Sequence, residues 1–192
     1  MRLYEIDYAL AIPDHDLTDH EIATAPQVGN VDHIPVYMID TGVYVIAFMK
    51  KQDQVSAYVV ISTQSHAGYH DLIRMANVQG TRGSITALMV FLHQKFEVKY
   101  RIPAHEPLTL QGLRWVQNII RMGRGFKVTD GHGAPVNLED LEQEWLTAKN
   151  HRGAGPTEIL IPEINARADV TESISGRWPA CIQYVADHSC VL

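Results

Sequence analysis

Glycines 80 and 83 stand in the run Gln79-Gly80-Thr81-Arg82-Gly83-Ser84, directly ahead of apolar residues spaced as Ile85, Leu88, Met89 and Leu92. That spacing is helical, so the glycines fall where a helix begins. A helix start carries amide groups with no acceptor further back in the helix, and its dipole favours negative charge. The segment Gly80, Thr81, Arg82, Gly83, Ser84, Ile85, Thr86 therefore reads as a phosphate cradle, with Arg82 adding charge. It reads equally as an ordinary strand-to-helix turn in which glycine relieves backbone strain. Two histidines offer acid–base chemistry in the neutral range. His70, beside Asp71, opens the strand that leads into this loop, and His105, beside Glu106, follows the next strand. Each is a candidate general base; the alternative, and the commoner case, is a surface residue at a strand end for His70 and a polar loop preceding Pro107 for His105.

Other reactive side chains are less organised. Asp14, His15, Asp16, Asp19, His20 and Glu21 are metal-capable, but His15 and His20 are five apart and do not share a helix face. No zinc-ligand spacing occurs, so no metal is expected and the cluster reads as a solvated acidic segment. Arg114, Arg121, Arg124 and Lys127 gather positive charge on and after one helix, with Arg114 and Arg121 on a shared face. They suit a phosphate, a nucleic acid or an acidic partner surface, or simply a solvated helix face. The two cysteines, Cys181 and Cys190, lie near the C-terminus and make no disulfide framework. Reduced thiols in a cytosolic protein are expected.

The elements that must position these residues follow from periodicity. Asp16–Ile22 predicts a brief helix capped by Thr18 or Asp16, closed by Pro26 and Gly29. Ile34–Ile39, Val43–Met49 and Val55–Ile61 are β-rich runs separated by Asp40-Thr41-Gly42 and by a polar connection, which predicts an antiparallel meander. A further strand is expected over about Tyr69–Val78, then the glycine loop and its helix. Lys99–Pro103 predicts the next strand. Thr109 caps a second helix that buries Leu113, Val116, Ile119 and Ile120, and Phe126–Val128 begins another strand. Asn137 caps a third helix, with Glu139 and Asp140 in its first turn. Glu158–Ile161 is a short strand ended by Pro162, and residues 163–192 read as an irregular arm anchored by Trp178 and Tyr184. The fold class expected is mixed α/β (α+β), a mainly antiparallel central sheet flanked by helices. Residues 1–162 form one domain with a variable segment over 1–30.

This order of elements, with Met75-Ala76-Asn77-Val78-Gln79-Gly80-Thr81-Arg82-Gly83-Ser84-Ile85-Thr86 leading into a helix and Met122-Gly123-Arg124-Gly125-Phe126 ending a later one, resembles the GNAT acyltransferase superfamily. The resemblance covers roughly residues 34–130 and is nearest to the divergent GNAT-like proteins of tailed bacteriophages. It implies acetyl-CoA as cofactor, with loop amides over residues 80–86 holding the pyrophosphate. Backbone groups of Met75, Asn77 and Val78 would align the pantetheine and polarise the thioester carbonyl. His70 or His105 would take the proton of an acceptor amine, carried on a small molecule or a protein. Two departures from the family pattern stand out. Ile85 occupies the position of a second small residue, and Ile119-Ile120-Arg121-Met122 lacks the tyrosine often used as general acid. They leave open a second function, a non-catalytic scaffold of the same fold acting as a phage structural or host-interaction protein through the C-terminal arm.

The bulk properties fit either reading. The chain has 192 residues, 46% of them apolar, and a formal net charge of −6. That is enough chain to bury a core unaided, and an acidic balance argues against a general nucleic-acid binder. The first residues, Met1-Arg2-Leu3-Tyr4-Glu5-Ile6-Asp7, carry acids where a signal peptide needs an apolar run. No stretch approaches a membrane span. The cytoplasm is the expected location, in a host or a virion if the protein is phage-encoded.

Overall fold

The computed structural model describes residues 11–12, 15–16, 18–78, 83–104, 110–121, 125–150, 158–165 and 170–172. They form a mixed α/β architecture built on an open, mostly antiparallel sheet. A two-residue hairpin, β1 (Ala11–Ile12) with β2 (His15–Asp16), precedes α1 (Asp19–Thr24). Helix α1 forms for the reason its sequence suggests. Thr18 accepts from Glu21 N–H, and the Glu21 carboxylate accepts from Thr18 N–H at 2.8 Å, a reciprocal capping box.

Strands β3 (Gln27–Val31), β4 (Ile34–Asp40), β5 (Tyr44–Lys51), β6 (Gln54–His66) and β7 (Tyr69–Asn77) then run as an antiparallel meander. Three of its hairpins turn on two residues with positive φ: Asp32-His33, Gln52-Asp53 and Ala67-Gly68. Such turns match the right-handed twist of the strands they join. Strand β3 was not expected. Its Gly29 and Asn30 hide strand character that comes from pairing with β4.

Next come α2 (Ser84–Phe96), β8 (Tyr100–Ile102), α3 (Leu110–Arg121), β9 (Phe126–Asp130), α4 (Leu138–Asn150), β10 (Ile159–Ile164) and β11 (Val170–Glu172). Asn137 caps α4, its side-chain oxygen accepting from Glu139 N–H at 2.9 Å. Pro162 does not end its strand as expected. A register shift between Leu160 and Glu163 absorbs it as a bulge, and pairing with β9 resumes through Ile164. The arm expected to be irregular contributes β11, which adds antiparallel to β3 at the sheet edge.

The sheet order is β11-β3-β4-β5-β6-β7-β8-β10-β9. Strands β11 and β10 stand first and eighth, seven spacings apart, or about 33 Å in a flat sheet. The chain from Ile164 to Val170 reaches at most about 21 Å. The sheet is therefore curled, and α2 fills its concave side, touching β3 as well as β5, β6, β7 and β10.

Burial alternates accordingly. Val36, Met38, Val45, Ala47, Met49, Val59 and Ile61 join Leu88, Met89, Phe91 and Leu92 of α2 in the main core. The opposite face of the same strands buries Ile46, Phe48, Tyr58 and Val60, with Ile22 and Ala25 beside α1 packed against them. Both faces of β5 and β6 are thus apolar, which is why their sequences read as nearly unbroken hydrophobic runs. Lys50 clasps α1 to this second face, donating to the Ile22 carbonyl and standing 4.3 Å from the Tyr37 ring centroid. His93 ties the far end of α2 to two other segments. Its Nδ1–H donates to the Val98 carbonyl at 2.9 Å, and its Nε2 accepts from Ile164 N–H at 3.2 Å.

Candidate functional site

One junction in the sheet differs from the rest. Strands β7 and β8 run parallel, and their ladder holds two residue pairs, His70 with Tyr100 and Asp71 with Arg101. The remainder of β7, from Leu72 to Asn77, continues past the last rung without β8.

Two local features account for the parting. In the parallel register, His70 N–H donates to the Lys99 carbonyl at 2.9 Å. Continuing that pattern would call on the N–H of residue 103 to reach the Leu72 carbonyl, and residue 103 is a proline with no N–H. On the other strand, β7 carries an extra residue just past the last rung, since Val60 pairs with Arg74 while Ile61 pairs with Leu72. The bulge at Ile73 turns the strand and shifts its parity. Leu72 and Met75 both face the main core, three residues apart, while Ile73, Ala76 and Val78 face the second cluster.

The closed end of the parting is fixed by charge. Arg101 donates through Nε and Nη2 to the two oxygens of Asp71, at 2.5 and 3.0 Å, and through Nη1 to Glu158 at 3.2 Å. All three side chains are less than one-third exposed. The carboxylates raise the guanidinium pKa, chiefly through the Asp71 hydrogen bonds. Glu158 precedes β10, so Arg101 joins three neighbouring strands. Gly131 makes room for it, since a Cβ at 131 would come 2.8 Å from Glu158 Oε2.

The open end is flanked by α2. Gly83 is its N-cap, with φ +92° and no side-chain cap bond. The first intrahelical bond runs from Ala87 N–H to the Gly83 carbonyl at 2.9 Å, so the amides of residues 84–86 lie ahead of the ladder. A β7–α2–β8 unit brings a helix N-terminus towards the carboxyl ends of two parallel strands, the usual position of a ligand in such units.

Of the residues singled out in the sequence, Met75 and Asn77 lie on the stretch of β7 beyond the last rung, and Val78 follows its end. The amide of Val78 donates to the Ser56 carbonyl at 2.8 Å. Gly83, Ser84, Ile85 and Thr86 form the start of α2; Ser84 is buried, and Ile85 packs against the main core. Gly80, Thr81, Arg82 and His105 lie outside the described residues. His70 is near the start of β7, the end away from the N-terminus of α2, in the paired part of the sheet. It is 5% exposed, and its Nδ1–H donates to the Ser62 carbonyl at 2.8 Å. Arg114 and Arg121 are exposed on α3 and Lys127 on β9, while Arg124 lies outside the described residues. Among the described residues, no helix is long and apolar enough to cross a membrane.

Arg101, Pro103 and Glu158 belong to the site through the fold and not through any motif. Pro103 carried a signal, a proline closing a three-residue strand, whereas the Arg101 contacts reach residues 30 and 57 positions away. No protein-family model matches the chain, and a search of curated proteins finds no match either. Fold and geometry define a mixed α/β protein with a mostly antiparallel sheet that parts between two parallel strands.

Proposed function

We propose that the chain is a divergent, bacteriophage-type GNAT-like protein that binds acetyl-CoA and transfers its acetyl group to an amine. The observation that carries this reading is the parallel pair β7/β8, which separates after two rungs beside the N-terminus of α2. In this reading, the amides at the start of α2 and its preceding loop, residues 80–86, hold the pyrophosphate. The β7 edge from Leu72 to Asn77 lies along the pantetheine, and a backbone amide of that edge polarises the thioester carbonyl, a role closed to Val78, whose amide already donates to Ser56. The acceptor amine attacks that carbon as a base takes its proton, and CoA leaves as the thiol. His105 follows Pro103 directly after β8 in sequence and is the favoured base. His70 already donates to Ser62 from within the paired sheet.

Isothermal titration with acetyl-CoA tests the reading. Saturable binding is expected, weakened by CoA added as competitor. No heat at high micromolar protein, with the fold intact, would sink it. The buried position of His70 favours a second reading, a GNAT-type scaffold that works as a phage structural or host-interaction protein without catalysis. Its mark is saturable acetyl-CoA binding without turnover of any amine, or no binding at all.

A further inference from the structure

We infer that Arg101 is a positioning residue that holds β8 against β7 at their last rung, and so fixes in place the end of the β7 edge along which a ligand lies. The ligand half of this inference rests on the acetyl-CoA reading above; the positional half does not.

The sheet changes character at this junction. Six strands on one side, β11 to β7, meet β8, β10 and β9 across a backbone ladder of two residue pairs. Pro103 prevents the ladder from lengthening, and nothing in two rungs prevents it from shortening. The Arg101 side chain acts at the last of those rungs. Its planar fork reaches both oxygens of Asp71 in β7 and turns the remaining arm to Glu158 beside β10. A rigid, bidentate guanidinium fixes spacing as well as charge, which an ammonium cannot do. Arg101 thereby holds β8 against β7 at a set distance at the last rung, beyond which β7 runs on from Leu72 without β8. Gly131 belongs to the same device, because the room it leaves lets Glu158 complete the clamp. Without the fork, β8 is free to peel from β7, and the end of the β7 edge is no longer fixed.

The test compares the full-length protein with Arg101→Met, which keeps the apolar stem, and Arg101→Lys, which keeps the charge. Hydrogen exchange is followed at His70 and Arg101, alongside titration with acetyl-CoA. Arg101→Met should speed exchange at these two amides about tenfold more than in β5 and β6. It should weaken acetyl-CoA binding by about tenfold, with Arg101→Lys intermediate. Exchange at His70 unchanged relative to β5 would overturn the inference. A uniform rise across the sheet would overturn it too, since that marks a merely structural role. If the wild-type protein does not bind acetyl-CoA, the ligand reading fails, and the exchange comparison still decides the position of Arg101. Should Arg101→Met not fold, Gly131→Ala displaces only the Glu158 arm. It should speed exchange at Arg101 by about threefold, and no change there overturns the inference.

Discussion

Arg101 and Asp71 face each other across the last rung between β7 and β8 and exchange two charge-assisted hydrogen bonds, at 2.5 and 3.0 Å. Thirty residues separate them in the chain, yet they mark the point at which the pairing of β7 with β8 ends. The Coulombic attraction is not the whole of their effect. Both are shielded enough from water that losing one leaves the other poorly solvated.

That asymmetry sets the first expected outcome. Arg101→Met strands the Asp71 and Glu158 carboxylates and should cost about 2–3 kcal/mol of stability in urea unfolding. Adding Asp71→Leu to Arg101→Met should recover part of that loss, because the stranded charge is gone. A double-mutant cycle should give a coupling of about 1.5 kcal/mol or more. Strictly additive losses would show that the two side chains do not work as a pair.

Tyr100 precedes Arg101 and points to the other face. It is fully buried, and its hydroxyl donates to the Met89 carbonyl of α2 at 2.9 Å. Burial raises its pKa well above the ordinary value of 10.0. The sign follows from linkage. Below the unfolded value both states keep the proton, and the Tyr100 contribution is whole. As pH rises beyond it, the unfolded chain sheds the proton while the folded chain retains it, so stability falls. Tyr100→Phe should cost about 1 kcal/mol at neutral pH. It should also flatten the loss of stability above pH 10, read as the urea midpoint against pH. Parallel alkaline profiles for the two proteins would contradict this.

Much of the sheet was legible because both faces of β5 and β6 are apolar, and Val43–Met49 and Val55–Ile61 announce that directly. Helix α1 and the cap of α4 were legible too, since Thr18, Glu21 and Asn137 act within three residues of themselves. Strand β3 was not, because its pairing with β4 and β11 overrides Gly29 and Asn30. The bulges at Ile73 and Pro162 break the period of two on which strand reading depends. The site was half visible. The start of α2 advertises itself through Gly83, but the clamp at the last rung is assembled from Asp71, Arg101 and Glu158, whose meeting no local pattern encodes.

The hairpins hold unused stability. Gln52 and Asp53 join β5 to β6 with φ of +52° and +61°, a geometry that Asn-Gly adopts with less strain. Replacing the pair by Asn-Gly should raise stability by about 1 kcal/mol without altering either face of the sheet. The thermal midpoint and the urea midpoint should rise together. A fall in either would mean that the Gln52 or Asp53 side chain makes a compensating contact.

His93 offers a test of neutral imidazole as a two-way bridge. Carbonyl Val98 can only accept and amide Ile164 can only donate, so the ring must carry its proton on Nδ1 and keep Nε2 bare. His93→Ala should cost about 2–3 kcal/mol by stranding both backbone groups. His93→Gln can donate from its amide nitrogen and accept at its oxygen, and should recover about 1 kcal/mol of that loss. If glutamine proves no better than alanine in urea unfolding, the bridge contributes through packing alone.

Gly83 separates local strain from any role in anion binding. Its φ of +92° disfavours every L side chain, yet a Cβ there would meet no atom within 4 Å. Gly83→Ala therefore adds no clash, and its cost is conformational, about 1 kcal/mol in urea unfolding. The helix beyond Ala87 should persist by circular dichroism, because its hydrogen-bond ladder starts at Ala87 N–H. Relieving the strain requires the substituted position to move to negative φ, and that rotation redirects the amides of residues 84–86. Acetyl-CoA binding should then weaken by more than the stability loss accounts for, since stability at this level leaves the protein folded. Equal affinity in Gly83→Ala and wild type, at an unfolding cost near the expected one, would mean that those amides do not hold the ligand.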